Sequence, residues 1–347
     1  MALGGSRGLI RISKNPACEL QAALAVRGVK EKDFYERYTG EPFPGEYGER
    51  QSARRRGAMF EDNLHKDGAS ALRRVVAPLG GHSPDSMKVL NFDEEIPGTS
   101  RQARLARRDK TLEFIARLAK DDLSVPTLLI QPVLPLAVTD TGVHFLVPDF
   151  LLLDRIERIY IPGEEKSFIV RDNVVDRADI DGARRQAGAQ VVGLRQAATR
   201  YGIGTRVRNQ AVFVFASPYG LSPAPPVQER IDAEVHEIEH ALRTARVVAE
   251  RLKSLPADQG LETIADQYQR HFTDECVRSC VLSDVWAREC GTSARILGDS
   301  AAELIGAETS LARICELMQG AEPVSERERA VAPRLVQLTG VFQSLGL

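Results

Sequence analysis

The order of apolar, strand-like runs in the middle of the chain constrains the fold more than any other feature of the sequence. The runs are 127–137, which proline interrupts, 142–153, 156–170 and 209–216, and a helix-like stretch over 180–200 precedes the last of them. They are rich in β-branched, aromatic and leucine residues, and residues 139–142 are typical of a hairpin turn. Three strands, a helix and a fourth strand predict an α/β core with a mixed sheet.

Apolar residues at helical spacing predict helices on both sides of this core. Before it lie a predicted helix over 49–76 and a basic helical stretch that contains Arg101, Arg104, Arg107, Arg108 and Lys110. After it, the Pro/Gly/Ser-rich segment 217–226 is the expected domain boundary. Helices are predicted beyond it over 227–255, 260–272, 299–319 and 325–345. We therefore expect an N-terminal strap over 1–48, a core domain over 49–220 and a helical C-terminal region over 221–347.

The composition excludes several broad classes of protein. The chain has 347 residues, 43% of them hydrophobic, which is enough for a sizeable core in one or two domains. The formal net charge of −2 at pH 7 excludes a globally basic nucleic-acid-binding protein, so any such surface must be local. No apolar stretch is long enough to span a bilayer, and residues 1–11 lack the apolar run of a signal peptide. We expect a soluble, cytoplasmic protein.

Asp149, Glu164 and Lys166 are the strongest candidates for a catalytic centre. Hydrolysis of a phosphodiester with Mg²⁺ needs a few carboxylates that converge on the metal and a lysine that orients the attacking water. Because alternate residues of a strand share a face, Glu164 and Lys166 should point the same way and Glu165 the other way. A hairpin around residues 154–157 would bring Asp149 close to Glu164. Each carboxylate alone could be a solvated strand end, but Asp149 interrupts an apolar strand, where a charge is costly unless paired or metal-bound.

The order of these residues resembles the PD-(D/E)XK superfamily, and within it the RecB-type nucleases that include CRISPR-associated nucleases. The resemblance spans roughly residues 54–217. The family's motifs are a glycine with a metal-binding residue four positions later, an aspartate at a strand end, Glu-x-Lys, and a glutamine on the next helix. The matching residues are Gly57 and Glu61, then Asp149, then Glu164 and Lys166, and then Gln186 or Gln190. The aromatic residue that often follows the glutamine by one turn is absent. Histidine is also common in the first motif, but His65 is interpreted as a surface residue.

The resemblance implies a restriction-endonuclease-like fold and a Mg²⁺- or Mn²⁺-dependent deoxyribonuclease. Asp149 and Glu164 would bind the metal with help from Glu61, Lys166 would position the attacking water, and Gln186 would contact the scissile region. Exonuclease or end and flap processing is favoured over site-specific cutting, in DNA repair or in antiviral or CRISPR-linked defence. Two alternatives stay open: a catalytically silent DNA-binding scaffold subunit of a larger complex, and a cytosolic zinc protein whose acidic residues are incidental.

The cysteines indicate a metal site rather than disulfides, because five is an odd number and no export signal is present. Cys276 and Cys280 lie one helical turn apart, Cys290 follows, and Cys18 stands near the N-terminus. Four thiolates suit zinc or an iron–sulfur cluster, and small buried core residues are the other interpretation. Several RecB-type nucleases hold a four-iron four-sulfur (4Fe-4S) cluster with one cysteine before the core and three after it. The resemblance therefore implies such a cluster here, with zinc as the alternative. The bound metal would hold the C-terminal helices against the N-terminal strap. Cys315 is predicted to be an ordinary buried thiol.

Local arginines are the expected source of affinity for DNA, because phosphate contacts dominate that affinity. Two groups lie near the predicted site: Arg54, Arg55 and Arg56 before Glu61, and Arg184 and Arg185 beside Gln186. Residues 101–110 are interpreted as a solvated helix face. Aromatic residues make up only 6% of the chain, and no base-reading module is recognised. We predict recognition of the DNA backbone with weak sequence preference.

Overall fold

The chain divides into two compact units, each assembled from separate stretches of sequence. The computed structural model describes residues 5–43, 51–138, 143–169, 177–218, 220–254, 264–265, 267–273, 276, 280 and 282–344. Unit 1 consists of Met1–Ser13, Ala25–Gly28 and Gly48–Ser254, and unit 2 of Lys14–Leu24, Val29–Tyr47 and Leu255–Leu347. Unit 1 therefore continues beyond residue 220, where the sequence analysis places a boundary.

The described part of unit 1 contains both helices and strands. In chain order the helices are α1 (Gly5–Lys14), α2 (Glu19–Arg27), α3 (Glu31–Thr39), α4 (Gln51–Val76), α5 (Phe92–Glu95), α6 (Arg101–Ala119), α7 (Arg177–Thr199), α8 (Asp232–Lys253), α9 (Ser283–Cys290), α10 (Asp299–Ile305), α11 (Leu311–Met318) and α12 (Glu326–Ser344). The strands are β1 (Val89–Asn91), β2 (Leu128–Ile130), β3 (Leu134–Ala137), β4 (Val143–Leu146), β5 (Phe150–Asp154), β6 (Ile159–Ile169), β7 (Gln210–Ala216) and β8 (Val227–Arg230). All of these strands belong to unit 1.

A six-stranded sheet with the order β1-β2-β5-β6-β7-β8 forms the centre of unit 1. The pairs β1–β2 and β6–β7 are parallel, and the other three pairs are antiparallel. Helix α7 lies between β6 and β7 in sequence and so provides the crossover that a parallel pair needs. The prediction of an α/β core with a mixed sheet flanked by helices is confirmed.

Two of the predicted strands are each broken into two, and the halves join different sheets. The run 127–137 forms β2 in the main sheet and β3 in a separate hairpin with β4, while the run 142–153 forms β4 and β5. Pro132 and Pro148 lie in the two breaks, and neither has an N–H to donate to a strand ladder. Asp149 therefore lies in a break before β5 and does not interrupt a continuous strand. The predicted hairpin turn at 139–142 lies outside the described residues.

Helices cover both faces of the main sheet. On one face, Phe60, Leu64 and Leu72 of α4 form one buried cluster with alternate strand residues. Full burial of such a side chain contributes about 1.5–3 kcal/mol. On the other face, α7 packs against β6 and β7, and α8 packs against α7. The sheet end that α4 and α7 flank carries the predicted acidic residues.

Three predicted helices differ from the observed ones. Helix α4 departs from helical geometry at Lys66–Ala69, where three successive residues have a positive φ. The helix predicted over 227–255 begins only at Asp232, because the preceding residues pair with β7 as β8. The helix predicted over 299–319 is two helices, α10 and α11, and Gly306 with φ +105° ends the first. The helix predicted over 325–345 is confirmed as α12 within one residue at each end.

Unit 2 is helical in its described part. Ala294, Ile305, Ile314, Leu317 and Ala332 form a buried cluster that joins α10, α11 and α12. Cys315 of α11 is exposed, so its prediction as a buried thiol is wrong. Most of the predicted helix 260–272 lies outside the described residues. Within the part of the chain that the structure describes, no helix is long and apolar enough to cross a membrane.

Candidate functional site

The β5–β6 hairpin brings Asp149 beside Glu164. Phe150 of β5 is opposite Gly163 of β6, and Asp154 at the other end of β5 is opposite Ile159. The turn predicted around 154–157 is therefore confirmed. Gly163 allows this pairing because a Cβ there would lie 2.0 Å from Cζ of the Phe150 ring. One carboxylate oxygen of Asp149, Oδ2, accepts a hydrogen bond of 2.7 Å from the backbone N–H of Glu165, and this bond anchors the side chain at the strand end.

Strand alternation places Glu164 and Lys166 on one face of β6, as predicted. Nζ of Lys166 donates a hydrogen bond to Oε2 of Glu164 and lies 3.7 Å from Oδ2 of Asp149. The side chain of Glu164 is fully buried, while those of Lys166 and Asp149 are 19% and 14% exposed. Glu164 therefore lies inside the protein, whereas Asp149 and Lys166 are partly exposed to solvent at the edge of the site.

Gln190 of α7 completes the contacts of Glu164. Its Nε2 donates a hydrogen bond to Oε1 of Glu164, and its own Oε1 has no hydrogen-bond partner among the described residues. Either Gln186 or Gln190 matches the motif glutamine in sequence, and Gln186 is predicted to contact the scissile region. In the structure the buried contact belongs to Gln190, and Gln186 is half-buried one turn earlier on α7.

Glu61 and His65 of α4 face the site from the opposite side of the sheet to Gln190. Nε2 of His65 lies 3.1 Å from Oε1 of Glu165, and the two side chains are 16% and 0% exposed. The interpretation of His65 as a surface residue is therefore wrong. The spacing of one turn from Glu61 was the signal in the sequence that could have placed both residues on one face of α4. Glu165 points toward α4 because it alternates with Glu164.

Burial and mutual repulsion change the protonation of this acidic cluster, which consists of Glu61, Asp149, Glu164 and Glu165. Burial, together with the charges of Asp149 and Glu165, raises the pKa of Glu61 to about 7. Burial also raises the pKa of Glu164 and of Glu165. Glu61, Glu164 and Glu165 therefore retain protons at a higher pH than ordinary carboxyl groups do.

The pKa values of the two basic groups in contact with the acidic cluster, Lys166 and His65, are also raised, but here the neighbouring charges act against burial. Burial alone would lower the pKa of Lys166, but the charges of Glu164 and Asp149 outweigh it and raise the value. For His65, burial lowers the pKa, and the hydrogen bond and charge of Glu165 raise it to a greater extent. Lys166 is thus held as a cation at the mouth of the site.

Comparisons of the chain with protein-family models, with curated proteins and with solved structures give no match.

The acidic cluster has the donor chemistry of a site for Mg²⁺ or Mn²⁺, because these ions prefer carboxylate oxygens. Burial, together with the charges of Asp149 and Glu165, keeps the pKa of Glu61 high, and the buried Oε2 of Glu165 has no hydrogen-bond partner among the described residues. A divalent cation would relieve both. No three His, Cys, Asp or Glu residues of the described chain stand at the spacing of a metal site. The residues fit the ion by the chemistry of their oxygen donors.

Three of the four predicted cluster cysteines line one small cavity in unit 2. Cys18, Cys276 and Cys280 share this cavity of about 40 Å³ with Arg270 and Trp286. Asn15 donates a hydrogen bond of 3.2 Å from Nδ2 to Sγ of Cys276. Burial raises the pKa of Cys18 and of Cys280, so both thiols hold their protons at neutral pH, and a metal would have to displace those protons to bind.

Cys290 is not among the described residues that line this cavity. It lies at the end of α9 and is 7% exposed, and its charged neighbours are Arg295, Asp299 and Glu289. A cavity of about 40 Å³ holds a few water molecules or one ion. Cys18, Cys276 and Cys280 share this cavity, but among the described residues they do not stand at the spacing of a metal site, and a four-cysteine cluster would also need Cys290.

Two of the arginines predicted to contact DNA, Arg184 and Arg185, form ion pairs with carboxylates of the protein. Arg184 forms ion pairs of 2.7 Å with Glu229 and 2.6 Å with Glu234, and Arg185 forms one of 3.0 Å with Glu237. These carboxylates neutralise both guanidinium groups, so the predicted basic patch beside Gln186 is not present as a free patch. Of the other group, Arg55 is exposed, Arg56 is half-buried, and the side chain of Arg54 lies outside the described residues.

Proposed function

We propose that the chain is a Mg²⁺- or Mn²⁺-dependent DNA nuclease with a restriction-endonuclease-like core of the RecB type. The observation that carries the proposal is the convergence of Asp149, Glu164 and Lys166 at one end of the β5–β6 hairpin. Glu61 and Gln190 approach this group from α4 and α7, in the motif order of the resemblance. Exonuclease or end and flap processing, in DNA repair or antiviral defence, stays a prediction from that resemblance.

Each side chain has a role that its position supports. Asp149, Glu164 and Glu61 would hold the metal, which lowers the pKa of a bound water and neutralises charge on the phosphate. In hydrolysis the water oxygen bonds to phosphorus, one ester P–O bond breaks, and the leaving oxygen takes a proton. Lys166 is a cation within reach of that water and can donate a hydrogen bond to it or to the charged transition state. Gln190 is a positioning residue, because it holds Oε1 of Glu164 and does not face solvent.

The decisive experiment compares Asp149→Ala and Lys166→Ala with the wild type in degradation of single- and double-stranded DNA with Mg²⁺ or Mn²⁺. Loss of one group that stabilises the transition state costs about 100-fold or more in rate. Asp62→Ala and Lys88→Ala are matched controls, because both side chains are exposed and lie outside the acidic cluster. Undiminished cleavage by both site variants would remove the basis of the proposal.

A catalytically silent DNA-binding scaffold is the second candidate, and one observation favours it. Both oxygens of Glu164 accept hydrogen bonds within the protein, from Lys166 and Gln190, so this buried carboxylate is satisfied without a metal. Salt-sensitive DNA binding by the wild-type chain, with no hydrolysis across a series of divalent metals, would favour the scaffold over the nuclease.

A further inference from the structure

Two helix faces of unit 1 enclose a basic groove that is separate from the acidic cluster. On α8, Glu239, Arg243 and Arg246 lie on one face, and Arg195 lies on the facing side of α7, with Arg200 directly after that helix. These five residues, here called the arginine groove, line a cavity of about 540 Å³ that opens to solvent. Its position was not predicted, because neither helix carries a run of consecutive arginines at these positions.

The arginine groove has an excess of positive charge. Arg195 is neutralised by Glu239 at 3.0 Å, which leaves three of the four arginines without a carboxylate inside the groove. Arg246 donates to the backbone oxygens of Val138 at 3.0 Å and Ala137 at 3.4 Å, which fixes its position, and it forms no ion pair with a described residue. Arg200 and Arg243 are exposed and form no ion pair with any described residue.

A row of guanidinium groups in an open groove matches a chain of phosphates. Guanidinium groups bind phosphate oxygens in pairs of parallel hydrogen bonds. From Glu239 to Arg246 the face of α8 extends about 10 Å, and successive phosphates of one duplex strand advance about 3.4 Å along the axis, so the groove spans about three of them. We propose that the arginine groove binds the sugar–phosphate backbone of the nucleic acid.

The inference rests on the proposed function, because α7 connects the arginine groove to the acidic cluster. The same helix carries Gln190, which contacts Glu164, and Arg200 follows about 15 Å farther along the helix axis. That distance corresponds to about four base steps of a duplex. The groove would hold the strand at a set distance from the phosphodiester that the acidic cluster hydrolyses.

Binding is tested apart from cleavage. The probe is a short fluorescein-labelled oligonucleotide, single-stranded or as a duplex, titrated in EDTA with anisotropy as the readout. The double variant Arg200→Glu/Arg243→Glu should lose affinity by about tenfold or more, and the slope of log Kd against log salt should fall by about 2. The matched control is Arg101→Glu/Arg104→Glu on α6, which makes the same change of charge at exposed positions outside the groove. It should keep most of the affinity.

Further readouts separate the possible outcomes. Arg200→Gln/Arg243→Gln, a milder pair, should show a smaller loss in the same direction. Hydrolysis of bis(p-nitrophenyl) phosphate with Mn²⁺ should not change, because this small ester does not reach the groove. If the wild type hydrolyses no ester but the groove variant still loses DNA affinity, the proposed function fails and the groove inference stands. Unchanged DNA affinity, an equal loss in the α6 control, or equal competition by polyglutamate would overturn the groove inference and leave the proposed function intact.

Discussion

Gln190 and Glu164 are joined by a buried hydrogen bond from Nε2 to Oε1, although 26 residues of chain separate them. The bond links the middle of α7 to β6 at the point where Glu164 is fully enclosed. Lys166 donates to the other oxygen of the same carboxylate. A carboxylate removed from water is tolerated only when it is paired or hydrogen-bonded, so these two donors allow Glu164 to occupy its position.

Removal of the Gln190 amide should therefore cost stability. Gln190→Ala leaves one oxygen of Glu164 without its donor, and an unsatisfied buried group costs about 1–3 kcal/mol. Gln186→Ala, at a half-buried position one turn away, should change the free energy of unfolding by about 0.5 kcal/mol or less. Urea unfolding of the metal-free protein measures both values. A larger loss for Gln186→Ala than for Gln190→Ala would contradict the arrangement.

The stability of the metal-free protein should depend on pH through Glu61. Its pKa is raised from 4.5 to about 7 in the folded state, by burial first and by Asp149 and Glu165 second. Between these two values the folded chain binds a proton that the unfolded chain has lost, so this group's contribution to the free energy of unfolding decreases as pH rises through about 7. Urea unfolding in EDTA across this range should show a shallower decrease for Glu61→Gln than for the wild type.

Divalent metal should reverse that trend. Because a metal binds the deprotonated carboxylate, the rise in Tm caused by Mn²⁺ should grow as pH increases through about 7. Asp149→Asn should reduce this rise, whereas Asp62→Asn at an exposed position should not. A Tm that does not respond to Mn²⁺ at any pH would count against metal binding by the acidic cluster, independently of any cleavage assay.

His65 should titrate at a higher pH than an ordinary histidine. Burial opposes its protonation, but the hydrogen bond and charge of Glu165 outweigh burial, and Glu61 and Asp149 act in the same sense. Glu165→Gln should therefore lower the pKa of His65, which NMR follows through the imidazole proton shifts. An unchanged pKa of His65 in Glu165→Gln would show that Glu165 does not cause the shift.

The cysteine cavity can be tested by its metal content. Elemental analysis and visible absorption of anaerobically purified protein distinguish iron–sulfur from zinc. Cys18→Ser, Cys276→Ser and Cys280→Ser should each lower the bound metal, because these thiols share one cavity, whereas the exposed Cys315 is the matched control. A lower metal content in Cys290→Ser would show that a fourth thiolate binds the metal. A colourless preparation that contains neither iron nor zinc would rule out both predicted metals.

Much of the site was predictable because it depends on local periodicity. The side-chain period of two in a strand places Glu164 and Lys166 on one face, and the short turn after Asp154 brings Asp149 opposite them. The breaks at Pro132 and Pro148 were less predictable, since a long apolar run does not reveal where one strand ends and the next begins. The basic surface was predicted least well, because the partners of Arg184 and Arg185 lie on β8 and α8.

The sequence by itself determined the α/β class, the hairpin and the motif order, because each of these follows from spacing along one segment. Only the tertiary structure decided between Gln186 and Gln190 and brought His65 to Glu165. Residues four apart on a helix are separated by only about 40° around the axis, so periodicity cannot choose between two glutamines one turn apart. The choice depends on how far α7 is displaced along the sheet, which packing sets: one turn moves a side chain about 6 Å, the difference between contact and no contact with Glu164.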